Sequence, residues 1–196
     1  MRKKAELVLA LCALLTLAGC GPAAPQKAAD GLDWDENWVT VGNILGVDTP
    51  GGLEPRENSD ALSAKGMYYA TWSIGEAEPY VNADGEDAEI YDAQIYLLLA
   101  GYDAAEKAED AAAEWLEMAS EQYQVEHTFE AEHNGQTYSA VTYTCASETN
   151  PYARGASAFG AYGNYAISVE IQCREESDTD PRGLMDSFLQ NCHYAA

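Results

Sequence analysis

The sequence predicts an α+β domain, a mostly antiparallel sheet with one long helix and a second helix near the C-terminus. Three observations lead there. Runs of β-branched and aromatic residues bounded by Gly, Pro and Asn recur along the chain, which is the pattern of strands joined by tight turns. Residues 103–123 instead repeat small and apolar residues at helical spacing, and Leu184, Met185, Phe188 and Cys192 do so again near the end. Asn134-Gly135 and Gly163-Asn164 each join two strand-like runs, so the strands they connect are antiparallel neighbours.

The 196 residues carry 33 acids against 10 bases, a formal charge of -23, which argues against nucleic acid or an anionic lipid surface as a partner. Beyond residue 30 only 26 residues are Leu, Ile, Val or Phe, a scarcity that with this charge usually marks disorder. All four Trp and all thirteen Tyr lie in that same stretch, so aromatic area and Ala replace the missing aliphatic area. At this length a single globular domain, residues 34–196, is expected.

Residues 1–19 read as a signal peptide. Met1-Arg2-Lys3-Lys4 is a basic start, and the apolar run Leu7 to Leu17 is too short for a bilayer that needs about 20 helical residues. Leu17-Ala18-Gly19-Cys20 resembles the lipobox of bacterial lipoproteins, in which the Cys thiol receives a diacylglycerol and the chain is cut before it. The resemblance implies that Cys20 is lipidated, becomes the first mature residue and anchors an extracytoplasmic protein to the membrane. Residues 20–33, with Pro22, Pro25 and several Ala, then form a flexible tether. Outside this compartment's reducing neighbour disulfides persist, and Cys145, Cys173 and Cys192 allow one bridge; Cys173–Cys192 is the expected pair, with Cys145–Cys192 its rival.

In order along the domain, Trp38 to Val41 and Ile44 to Val47 read as short strands ended by the turn signal Thr49-Pro50-Gly51-Gly52, and residues 53–64 as surface loop. Met67 to Trp72 is a strand. Ala88 to Ala100 is another, whose core Ile95-Tyr96-Leu97-Leu98-Leu99 has no alternation and should be covered on both faces. Asp103-Ala104-Ala105-Glu106 has the form of a capping box and opens a helix to about Tyr123. Ala108, Ala112, Trp115, Leu116, Ala119 and Tyr123 share its apolar face, and Glu106, Asp110, Glu114, Glu117 and Glu121 form an acid ridge on the other.

For the next hairpin, a two-residue Asn134-Gly135 loop leaves both faces of the strand pair mixed. A three-residue loop, His133-Asn134-Gly135, collects Val125, Phe129, Val141 and Tyr143 on one face, and that register is the one expected if one face is buried. Gly163-Asn164 suits a type II′ turn that sets Gly160, Ala158 and Ala156 opposite Ile167, Val169 and Ile171. Small against large leaves room for the C-terminal helix. The order of early strands, capped helix, four-strand meander and closing helix over residues 38–192 resembles the PsbP-like α/β/α sandwich, named for an extrinsic protein of photosystem II. That resemblance implies an architecture, and a group whose members are mostly binding or assembly factors.

Motifs for chemistry are scarce. Ser157 in Gly155-Ala156-Ser157-Ala158-Phe159 lacks the second Gly of a nucleophile elbow, and His127, His133 and His193 have no zinc spacing. His127 reads as a histidine at the edge of the core. Calcium is the cofactor worth weighing: Asp84, Glu86, Asp87 and Glu89 surround Gly85, but an EF-hand alignment puts Tyr80 and Tyr91 at the first and last ligand positions. Trp34, Tyr80 and Tyr152 are candidate sugar-stacking aromatics in loops. The expected function is a binding or interaction module, with the ridge from Glu106 to Glu121 docking a cationic envelope protein. The rival is an envelope enzyme, which a deep polar pocket with two perturbed titratable groups would favour.

Overall fold

The computed structural model describes residues 32–57, 60–63, 65–82, 84–145 and 151–195. The segments read as signal peptide, lipidated Cys20 and tether, as far as residue 31, lie outside the described residues. Strand β7 (Ala93–Gly101) is central. None of its residues Ile95 to Leu99 is more than 3% exposed. Ile95, Leu97 and Leu99 belong to one apolar cluster and Tyr96 and Leu98 to another, so each face of the sheet has its own core, as a run without alternation requires. β4 (Met67–Ile74) pairs with one edge of β7 and β11 (Tyr165–Arg174) with the other. Beyond β4 lies the two-residue β3 (Arg56–Glu57). Beyond β11 lie β10 (Tyr152–Tyr162), β9 (Gln136–Thr144) and β8 (Gln124–His133), and every pairing in this seven-stranded sheet is antiparallel. A single helical turn, α1 (Asp60–Ser63), joins β3 to β4.

The strand read over residues 88–100 is two. β6 (Asp87–Ile90) folds back on β5 (Glu78–Val81) as a separate hairpin, and Tyr91-Asp92 interrupts the run before β7 begins.

Helix α2 (Ala105–Gln122) covers the face of Tyr96 and Leu98, burying Ala108, Ala111, Ala112, Trp115 and Ala119. Small residues along that stripe let the helix approach the sheet closely, and the buried Trp115 alone contributes about 3 kcal/mol of apolar burial. The capping box does not form. The N-cap is Ala104, which makes no side-chain cap, and Asp103 instead takes Lys107 at 2.6 Å.

The opposite face receives α3 (Pro181–Gln190), which opens on Pro181 after Asp180 accepts the Arg182 N–H at 3.1 Å. Leu184, Met185, Phe188 and Leu189 enter the cluster that holds Ile95, Ala156, Ala158, Ile167, Val169 and Ile171. The register of Tyr162 with Tyr165, Gly160 with Ile167, Ala158 with Val169 and Ala156 with Ile171 is the expected one, and Gly163 has φ 54 as a type II′ turn demands. Beside α3 lies a three-stranded sheet, β1 (Trp34–Val41), β2 (Leu45–Pro50) and β12 (Cys192–Tyr194), with β2 in the middle. The layers are therefore helix, seven-stranded sheet, then helix with small sheet.

The first hairpin differs from expectation. Its loop is the two-residue Asn134-Gly135, both with positive φ, and Phe129 pairs with Ala140 and Ala131 with Tyr138. A bulge between Val125 and His127 then shifts the register, so that Val125 pairs with Tyr143. Phe129 and Ala131 thus serve the α3 side and Val125 the α2 side. Pattern alone selected one buried face; the sheet buries both, and the bulge moves the strand's apolar residues from one to the other. The loop also holds the end of the chain: Asn134 Nδ2 donates to the Gln190 and Cys192 carbonyls at 2.9 and 2.6 Å. Tyr194 is held between the stacked ring of Tyr162, 4.6 Å away, and the hydroxyl of Tyr138.

No disulfide joins Cys145, Cys173 or Cys192, which corrects the expected Cys173–Cys192 bridge and its rival. Cys192 belongs to β12 rather than to the closing helix. Cys173 lies within electrostatic reach of Asp180, at the start of α3, whereas Cys192 follows the far end of that ten-residue helix. The helix alone spans about 15 Å, while bridged Cα atoms lie within about 7 Å. Cys145 is in the α2-side cluster, with the sheet between it and the other two. Burial pushes the Cys173 thiol up to about 12 and raises Cys192 as well, so both are poor nucleophiles. Unfolded without reductant, all three cysteines should be alkylated, and the folded protein should resist the reagent at Cys173 and Cys192. Mass mapping that recovers a peptide with Cys173 linked to Cys192 would contradict this arrangement.

Candidate functional site

Two arrangements on the α2 side of the sheet carry the chemistry. The first is an acidic face. Glu106, Asp110, Glu114, Glu117 and Glu121 are all exposed on α2, each repelling its neighbours by about 0.2–0.5 kcal/mol a pair, an expense borne by the buried apolar stripe behind them. Lys107, the single base of the helix, is taken up by Asp103. The face extends onto β8: Glu130 pairs with Ser139, which pairs with Phe159, and Phe159 belongs to the α2-side cluster. Partners across a sheet share a face, so Glu130 and, two residues on, Glu132 project on the same side as α2. Both are exposed. Only the true register of the hairpin reveals this extension.

The second arrangement is a buried polar cluster that no sequence motif announces. Ser168, Glu170 and Gln172 alternate with Ile167, Val169 and Ile171 along β11, as the wet side of a half-buried strand would, yet they lie beneath α2 and are at most 6% exposed. Glu170 is supplied with three donors on one carboxyl oxygen: Tyr143 Oη at 2.5 Å, Tyr123 Oη at 3.1 Å and Gln172 Nε2 at 3.1 Å. The rings of Tyr123 and Tyr143 stack at 3.9 Å, closing the cluster from the helix C-terminus. Next along the sheet, Tyr96 Oη donates to Gln94 Oε1, and Gln94 Nε2 to Ser73 Oγ at 3.4 Å. Desolvation raises the Glu170 pKa, more than its three hydrogen bonds lower it. Burial likewise raises Tyr69, Tyr96, Tyr123 and Tyr143, with the charge of Glu170 adding to each. These hydroxyls therefore remain donors, and Glu170 retains its proton to higher pH than an exposed carboxyl.

The other candidate residues are dispersed. In the calcium window the organising group is Asn82, whose side-chain oxygen accepts the N–H groups of Asp84 and Glu86 at 3.0 and 2.8 Å. Glu89 pairs with Arg56 at 3.3 Å and accepts from Tyr91 Oη at 2.8 Å, while Asp84, Glu86 and Asp87 are exposed. Among the described residues no three His, Cys, Asp or Glu side chains gather as metal ligands would. His127 is exposed rather than at the core edge, His133 meets Asp186 at 3.3 Å, and His193 meets Asp48 at 3.4 Å. Trp34 packs edge-on against Phe188 at 6.3 Å, Tyr152 is 3% exposed with its hydroxyl accepting the Tyr91 N–H, and Tyr80 lies in β5, so the three do not form a sugar-stacking platform. A cleft of about 190 Å³ lies between the β1–β2 turn and β4, lined by Val39 to Asn43 and Tyr68 to Ala70; Glu170 does not line it. No described helix is long and apolar enough to cross a membrane.

The chain matches no family model and no curated protein sequence. Its fold is similar to that of a protein from Bacteroides thetaiotaomicron VPI-5482, at 8% identity and a TM-score of 0.50 over 81% of this chain and 47% of the other, so it spans about half the length of that relative. Cyanobacterial PsbP (CyanoP) from Synechocystis sp. PCC 6803 aligns at 12% identity and a TM-score of 0.38, over 75% of this chain and 98% of that one. The first likeness is one of fold alone.

The Glu170 shift has a defined sign. Above the ordinary carboxyl value of 4.5 the unfolded chain has released a proton that the folded chain still holds, so this group makes stability fall as pH rises through the interval up to its raised value. Glu170→Gln should flatten that decline, and Tyr143→Phe should cost about 1–3 kcal/mol by removing a buried donor. Urea unfolding of both variants from pH 4 to pH 8 measures this; an unaltered pH slope in Glu170→Gln would show that the site does not raise the carboxyl's pKa.

Proposed function

We propose that this protein is a membrane-anchored extracytoplasmic lipoprotein whose domain, a sandwich of the PsbP-like kind, acts as a binding or interaction module. Lipidated Cys20 is the anchor, residues 20–33 the tether, and the acidic face of α2 and β8 the docking surface for a cationic envelope protein. The observation that carries this reading is the exposure of all five ridge carboxylates on one side of a helix whose other side is locked to the sheet. Such a face is preorganised, so an oppositely charged partner meets a fixed pattern and electrostatic steering speeds the encounter. The layer order of helix, sheet and helix, together with the closing meander β8–β11, is what supports the PsbP-like assignment. The enzyme alternative has less support: the perturbed groups around Glu170 are packed under α2, and the open cleft is lined by none of them except Tyr69.

One experiment tests anchor and face together. The tagged full-length chain, Cys20→Ala, and a variant with Asp110, Glu114 and Glu117 changed to Lys are expressed in a bacterial host with lipoprotein processing, and membrane fractionation is followed by capture from its envelope. Cys20→Ala should leave the membrane fraction, and its retention there would overturn the lipid anchor. The native face should capture a basic protein that is released as ionic strength rises, and the triple variant should capture about tenfold less at low salt. Equal capture by both, or capture by neither, contradicts docking through this face.

A further inference from the structure

The small sheet has an inner face that joins the core through Val41, Leu45, Val47 and Cys192, and an outer face that carries Trp38, Thr40, Gly46, Asp48 and His193. Trp38 is 52% exposed, and among the described residues only Val81 joins it as a large apolar side chain left so open. The indole is not loose. It lies directly over Gly46, where a Cβ would come within 1.7 Å of its Cζ2, and it stacks on the His193 ring at 5.2 Å and 30°. His193 Nε2 in turn lies 3.4 Å from Asp48 Oδ2, the residue that pairs with Trp38 across the strands. Thr40, opposite Gly46, adds an exposed hydroxyl on the same face. Packing on Gly46 and His193 accounts for the covered part of the indole; it does not explain why 52% of the residue stays in water beside Thr40, Asp48 and His193.

We propose that this shelf is a saccharide site. A pyranose ring has an apolar C–H face that stacks on an indole and a rim of hydroxyls that needs donors and acceptors at the ring edge. Trp38 offers the flat surface, the Asp48 carboxylate accepts, and Thr40 and His193 each donate or accept. Because Gly46 and His193 already fix the indole, little side-chain entropy remains to be lost on binding. The carboxylate beside the ring and the net charge of -23 select a neutral glycan over an anionic one, and disfavour insertion of Trp38 among anionic lipid headgroups. The site is on the α3 side of the main sheet, so it is separate from the acidic face and does not depend on docking there.

Trp72 and Trp115 are fully buried and Trp34 is partly buried, so quenching of fluorescence by acrylamide reports mainly on Trp38. The full-length chain is titrated with chitotetraose, cellotetraose and maltotetraose. At least one should protect the indole saturably from acrylamide. Asp48→Ala, which keeps the indole, should weaken that binding about fivefold, the loss of about one hydrogen bond. Trp38→Ala, checked for an unchanged unfolding transition, should abolish the heat of binding in calorimetry. Failure of all three sugars to protect Trp38 overturns the proposal, as does undiminished affinity in both variants. Protection by phosphatidylcholine or phosphatidylglycerol vesicles in place of the sugars would make Trp38 a membrane contact and overturn it equally.

Discussion

Burial of β7 and β11 on both faces is the constraint from which the rest of the architecture follows. Ile95, Leu97 and Leu99 point one way and Tyr96 and Leu98 the other, and none tolerates water. A sheet with two apolar faces needs two covers, which the chain supplies as α2 on one side and α3 with the small sheet on the other. Placing the covers also sets the order of the strands. α2 leaves β7 and returns the chain to β8 at the far edge, and the meander β8-β9-β10-β11 then walks back until β11 closes against β7. The last residues complete the second cover, with Asn134 and Tyr138 of the first hairpin holding β12 in place.

The two covered faces differ in chemistry. The α3 side packs Trp72, Phe188 and Tyr138 among aliphatic and small residues, whereas the α2 side carries Ser168, Glu170, Gln172 and a group of tyrosines. An acid in that position is tolerable because Tyr123, Tyr143 and Gln172 direct donors at it and because it keeps its proton more readily than an exposed acid. The same helix that shields this cluster turns its carboxylates outward. One cover thus separates a buried acid of raised pKa inside from an exposed acid face outside, and the second cover presents the Trp38 shelf on the other side of the molecule.

Where a local rule determined the structure, the sequence could be read. Gly163 can take the positive φ of a type II′ turn, so the β10–β11 register and the seat for α3 followed from two residues and a small-against-large pattern. The apolar run from Ile95 to Leu99 gave the central strand, and the helical spacing of Ala108, Ala112, Trp115 and Ala119 gave the face of α2. Where two local signals competed, the reading failed. The ion pair of Asp103 with Lys107 is not part of the capping pattern, and the bulge between Val125 and His127 shifts the register of a strand that serves two cores. Cys173 and Cys192 are near in sequence terms, but the helix between them sets them apart. Glu170 was illegible because a covered polar residue and a wet one occupy the same place in an alternating strand. Trp38 was legible as a strand residue but not as a shelf, since Gly46 and His193 come beneath and beside it through pairings distant in the chain.

The claim that β7 and β11 are covered on both faces is tested most directly by native-state hydrogen exchange resolved by residue. The amides of residues 95–99 and 167–171 should share the slowest rates in the molecule and exchange only through global unfolding, while those of 124–130 on the edge strand β8 exchange by smaller openings. If 167–171 exchanged as fast as 124–130, β11 would be open to solvent on one side, and the covered sheet would be contradicted together with the buried setting of Glu170.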